Sequence, residues 1–141
     1  IASQDGMMAS LRTHFGEETT PLLYEKVGGD FSRVTFSMFV DAAYAGDSGA
    51  AEIIRNAQEI FANAITFSIQ LLDVQQIVFY GSMFENHHFF DSLQKMLVKK
   101  IDGNYKENFY KVVPSDMNLD LRAAPILVVS SFFGEGGHRN Y

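Results

Sequence analysis

The stretch Gln75-Gln76-Ile77-Val78-Phe79-Tyr80-Gly81-Ser82-Met83 sets a glycine and a serine directly behind an apolar run. At such a turn, glycine lets the backbone approach a phosphate, and the amides of the turn and of the following helix can donate to it. In open α/β sheets, ligands sit beyond the carboxyl ends of strands. Gly81 and Ser82 are therefore the candidate nucleotide-contacting residues. A lone glycine also occurs where a strand simply hands the chain to a helix, so both uses stay open on the pattern alone.

Other chemistry-bearing groups are weaker. His87 and His88 are adjacent, and neighbours on a helix point in different directions, unlike an i, i+4 pair that can share one ion. Glu85 could add an oxygen, but no third ligand lies nearby in sequence, and a surface or interface role is the simpler one. Ser130, Ser131 and the run Gly134-Glu135-Gly136-Gly137-His138 have the composition of a substrate loop, and equally that of a chain end. Glu17-Glu18 reads as a solvated turn. The chain holds no G-x-x-x-x-G-K-[ST], G-x-S-x-G or H-E-x-x-H pattern. Neither a catalytic constellation nor a metal set is expected.

The elements that must position Gly81 and Ser82 follow from hydrophobic period. Met7, Met8, Leu11 and Phe15 recur at helical spacing, with Gly16 as a stop. Thr19-Thr20-Pro21 starts a short second helix, with threonine as cap and proline in the first turn, ending at Gly28-Gly29. A third helix is predicted over residues 32–44, closing at Gly46. Asp47 or Ser48 then caps the strongest pattern in the chain. Its apolar positions are Ile53, Ile54, Ala57, Ile60, Phe61, Ala64, Ile65, Phe67, Leu71 and Leu72. They describe an amphipathic helix of about 25 residues, ~37 Å long at ~1.5 Å per residue, with Ala57 and Ala64 allowing close packing. Residues 77–80 form a continuous apolar run, the mark of a strand buried on both faces. A helix over 89–101 follows and breaks at Asp102-Gly103-Asn104. Further strands are predicted over 109–113, ended by Pro114, and over 124–130, where Pro125 confines the start to an edge. The resulting class is α/β, with a small, largely parallel sheet and several helices.

Composition bounds what this molecule does. At 141 residues it is expected to be one domain, 47% apolar and 20% charged. A net charge of −6 argues against nucleic-acid binding by this chain alone, and Lys99-Lys100 complements a helix end. Zero cysteines exclude disulfides and thiolate metal sites and fit a cytoplasmic protein. No apolar run approaches the ~20 residues of a membrane span. The start at Ile1 and the end at Tyr141 lead to the expectation that both ends are truncated and that this is part of a longer protein.

The run AAYAGDSGAAEIIRNAQEIFANAITFSIQLLDVQQIVFYGS resembles the C-terminal half of ROK proteins, a family of sugar-responsive repressors and sugar kinases. The likeness rests on Ala42-Ala43, Gly46-Asp47, Ala50, the long helix to Leu72, Asp73, and the strand from Ile77 to Gly81. The segment ASQDGMMASL also resembles the helix that follows the family's zinc motif. The likeness covers most of residues 2–101 and fades beyond. It implies the C-terminal lobe of an actin-like, sugar-kinase (ribonuclease H-like) fold with a small mixed sheet. It also implies that the first phosphate loop, the sugar-deprotonating aspartate, the zinc site and any helix-turn-helix head lie upstream of Ile1. No cofactor is then held by this chain itself, although ATP belongs to a kinase reading. The implied partners are a sugar or sugar-phosphate effector through the full-length protein, DNA only through an absent N-terminal domain, and further copies in a homo-oligomer.

One departure matters. Kinase members usually carry Gly-Gly after this strand, lining the adenosine site; here the first position is Tyr80 and only Gly81 remains. A ring there crowds a nucleotide, and a repressor needs none. A regulator is therefore favoured over a kinase. A stand-alone α/β interaction domain is the third reading.

Overall fold

The computed structural model describes residues 3–72, 76–101, 110–113 and 126–130. Helix α1 (Gln4–His14) opens on Ser3, whose hydroxyl oxygen accepts the Gly6 amide at 2.7 Å. Helix α2 (Pro21–Lys26) has proline at its first position, as expected. Its cap differs from expectation. The Thr20 hydroxyl makes no capping bond and instead engages Gly16, while the buried Asp47 carboxylate accepts the amides of Leu22 and Leu23, both at 2.9 Å.

The single helix expected over 32–44 is two elements. A 3-10 turn, Phe31–Arg33, is capped by Asp30. Hydrogen bonds from the Ser32 hydroxyl and amide hold the Asp30 carboxyl below its usual pKa. Val34 is extended, and Thr35 then caps helix α3 (Phe36–Ala45) by accepting the Met38 amide at 3.2 Å. Apolar spacing ran through the junction; the threonine cap is what divides it.

Helix α4 (Ser48–Leu71) is the predicted long helix, 24 residues in all. It is the hub of the fold, packing against α1, α3 and the later helix α6 (His87–Ile101). Its buried face carries Ala50, Ile54, Ala57, Phe61, Ala62 and Ile65. Strand β1 (Gln76–Tyr80) follows. Ile77 and Phe79 enter the core, and Val78, on the opposite face, is also only 5% exposed. That two-sided burial is what its unbroken apolar run foretold.

The chain then turns at Gly81 into the short helix α5 (Ser82–Glu85) and on to α6 (His87–Ile101), which Asn86 caps by accepting the Phe89 amide at 3.1 Å. Strands β2 (Tyr110–Val113) and β3 (Ile126–Ser130) complete a parallel sheet of order β2-β1-β3. Tyr80 at the end of β1 is in register with Val113 on one side and Ser130 on the other. The described strands pair in parallel only; the mixed sheet implied by the family likeness stays an expectation. The helix break at 102–104, Asp73, Pro114, Pro125 and the run 131–138 lie outside the described residues.

Phenylalanines bind the layers together. Phe84 lies edge-on to Phe79 of β1 and Phe61 of α4, at 5.2 and 5.8 Å between centroids, and 6.4 Å from Phe89 of α6. Phe36 of α3 reaches Phe89 at 5.9 Å. The edge-to-face pairs Phe84–Phe79, Phe84–Phe61 and Phe36–Phe89 suit the ring quadrupole.

Candidate functional site

Strand β1 is central, β2 lies on one side of it and β3 on the other. The strand order therefore switches at the carboxyl end of β1, the position where open α/β sheets form a crevice. Gly81 stands at that position with φ 121° and ψ 154°, a backbone state that side chains disfavour. The glycine is thus required by the turn itself, whatever binds there. Its carbonyl accepts the Phe84 amide at 3.0 Å, which closes the first turn of α5.

The second predicted residue, Ser82, is exposed, and its hydroxyl lies 3.3 Å from the Gln4 side-chain oxygen of α1. The first turn of α1 therefore lies beside the Gly81–Ser82 turn, a neighbour that sequence spacing did not bring to Ser82. The helix opening at Ser82 spans four residues. Its aligned peptide dipoles are few, so it offers an anion less than the long helix predicted to follow. Tyr80, half-buried, holds the last position of β1, immediately before the glycine.

A concavity lies between α3, α4 and α6, about 640 Å³ in volume, and none of its lining residues belongs to the Gly81 turn. Tyr44, Glu52, Arg55 and Ser92 face it. Its floor is Gln58, 1% exposed, whose amide donates to the Phe89 carbonyl at 2.9 Å and whose oxygen accepts from the Ser92 hydroxyl at 3.1 Å. Both ends of that amide are occupied by α6, so Gln58 joins two helices. Sequence reasoning passed over Gln58 and had Asp47 only as a helix cap. The signal for Gln58 was a polar residue inside an otherwise apolar helical face.

His87 and His88 lie beside one another, 4.1 Å between ring centroids, and His88 stacks on Tyr44 at 5.4 Å. Among the described residues, no three His, Asp or Glu side chains come together. The neighbouring phenylalanines Phe84 and Phe89 are core residues, at 1% and 0% exposure. Among the described residues, no helix is long and apolar enough to cross a membrane.

The order of a long helix, a buried parallel strand and a glycine turn at the sheet's switch point is the arrangement implied by the likeness in sequence. The ROK family model matches residues 1–122. The chain belongs to the ROK family. The match runs beyond residue 101, where the likeness read from the residues ends, and takes in β2. Membership in ROK carries the actin-like, sugar-kinase fold class and makes the protein one of a family of repressors and sugar kinases. No curated protein and no solved structure matches the chain significantly.

Proposed function

We propose that this chain is the C-terminal lobe of a ROK-type transcriptional regulator, completing a sugar-sensing domain and taking part in a homo-oligomer. Tyr80 carries the reading. It precedes Gly81 at the carboxyl end of the central strand, the place where kinase members set a Gly-Gly pair against adenosine. A phenol ring there does not fit a nucleotide packed on the backbone, and the Ser82 hydroxyl already has Gln4 for a neighbour. In the regulator, a sugar or sugar-phosphate held by the full-length protein favours one arrangement of lobes, and DNA-binding heads upstream respond to that shift of population. Such a protein works in the cytoplasm.

The alternative is the C-terminal lobe of an ATP-dependent sugar kinase. It draws on Gly81, which keeps the backbone state that a phosphate-facing turn uses. Calorimetry of the chain with magnesium ATP tests the regulator reading. The expected result is no heat of binding with Tyr80 present. Saturable ATP binding by the unmodified chain would overturn the regulator reading. A Tyr80→Gly variant that gains ATP binding would identify the turn as a lapsed adenosine site.

A further inference from the structure

The second half of α4 keeps Phe61, Ala62 and Ile65 in the core and carries a separate apolar stripe on another side. Ile60, Phe67 and Leu71 are 46%, 62% and 66% exposed, and Ala64 between them is exposed as well. Positions 60, 64, 67 and 71 are separated by four, three and four residues. That spacing keeps one stripe on one side of a helix, as in the seam of a helix pair. Leu72, 56% exposed, extends the apolar surface past the helix end.

The stripe is its own mirror. Positions 60 and 71, and positions 64 and 67, are placed symmetrically about the point between Ile65 and Thr66. A half-turn about an axis through that point lays α4 antiparallel on a second α4. Ile60 then meets the partner's Leu71, and the bulky Phe67 meets the small Ala64 of the partner. Large opposite small is what lets two helices interdigitate, and a self-complementary patch is what a two-fold interface requires. We infer that this stripe is the docking surface for a second copy of the chain, α4 against α4 in antiparallel register.

Charge points to the same occupant. The chain carries a net −6, so two copies repel wherever acidic surface meets acidic surface. From residue 60 to residue 72 there is no Asp, Glu, Lys or Arg. Depletion of charge is the mark of an interface core. From the fractional exposures of the four large side chains, at ~200 Å² for each when fully open, the stripe offers about 450 Å² per copy. Two copies together bury roughly 900 Å², below the ~1,200 Å² at which standard stable interfaces begin. The expected dimer is thus reversible and concentration-dependent. The inference rests on the assembly part of the reading above, yet fails separately from it: ATP binding would unseat the regulator and leave the dimer untouched.

Because the chain has no cysteine, single cysteines report register without background. In the antiparallel pair, residue 64 lies three residues from its own symmetry mate along the axis, ~4.5 Å at ~1.5 Å per residue. Residue 71 lies eleven residues from its mate, ~16 Å. Under mild oxidation of the 141-residue chain, Ala64→Cys should give covalent dimers, whereas Leu71→Cys alone and Ile60→Cys alone should not. A mixture of the Ile60→Cys and Leu71→Cys chains should cross-link as a heterodimer. Sedimentation of the unmodified chain should show mass doubling as concentration rises, and Phe67→Glu should abolish it with helical circular dichroism unchanged. Equal cross-linking of all three single variants would mean parallel packing and overturn the register. A monomer at every concentration without cross-links would overturn the interface itself. If Phe67→Glu unfolds the chain, the cysteine pattern still decides.

Discussion

The carboxylate of Asp47, with no exposure to solvent, receives two backbone amides of α2 from 24 and 25 residues away. A negative group at a helix N-terminus is favoured both by the unpaired amides and by the helix dipole. Replacing it removes a charged acceptor and leaves two donors unpaired, one of them buried. Asp47→Ala should therefore cost about 2–4 kcal/mol, since hydrogen bonds to charged groups count ~1.5–3 kcal/mol each before any relaxation. Asp47→Asn keeps one good acceptor and should lose about half as much. Urea unfolding midpoints of the three proteins measure this, and a loss under ~0.5 kcal/mol for Asp47→Ala would sink the assignment. From sequence, this residue reads as a local cap of α4. The local reading is right about position and wrong about the bond, because Asp47 precedes α4 but makes no side-chain capping bond there. Which amide a carboxylate reaches is a matter of how α2 is laid over the α3–α4 turn.

Helix α4 shows how far an element can be read from its own residues. Its length, its apolar face and its two alanines follow from 3.6-residue periodicity. Periodicity treats Ala57 and Ala64 alike, yet the first is fully buried and the second exposed, while Phe61, Ala62 and Ile65 around Ala64 are buried. The N-terminal end is tightly held. Gly49 donates its amide to the Thr19 carbonyl at 3.2 Å, and a β-carbon at Gly49 would stand 2.6 Å from that oxygen. Gly49→Ala thus gains helix propensity but drives α4 away from the segment leading into α2. The expected net cost is about 1–3 kcal/mol, as for other forced insertions into packed sites. Thermal unfolding with a matched Gly46→Ala control separates the effects. Nothing lies within 4 Å of a β-carbon at Gly46, so its cost comes from its φ of 122° alone. An unchanged or raised Tm for Gly49→Ala would show that the contact yields freely.

For the molecule as a whole, the core converges on Phe84, whose ring touches those of Phe61, Phe79 and Phe89 from three other elements. Phe84→Ala should cost about 3–5 kcal/mol, the usual range for a buried phenylalanine, against total stabilities of ~5–15 kcal/mol. The variant should lose cooperative unfolding or show a sharply lower urea midpoint; a shift below about 1 kcal/mol would mean that Phe84 is not the joint between α4, β1 and α6. Residue order alone determined helices α1, α2 and α4, the doubly buried strand and the glycine turn, because each is written in spacing along the chain; the split of residues 31–45 and the short α5 were not legible there. Strand order, the place of Gly81 at the sheet's switch point and the approach of Gln4 to Ser82 came only with the tertiary structure. So did the reach of Asp47 to α2 and the exposure of Phe67 and Leu71. These are contacts between residues far apart in the chain. A pattern of polar and apolar positions says that a face must be covered, and only the folded packing decides which faces find cover and which are left open.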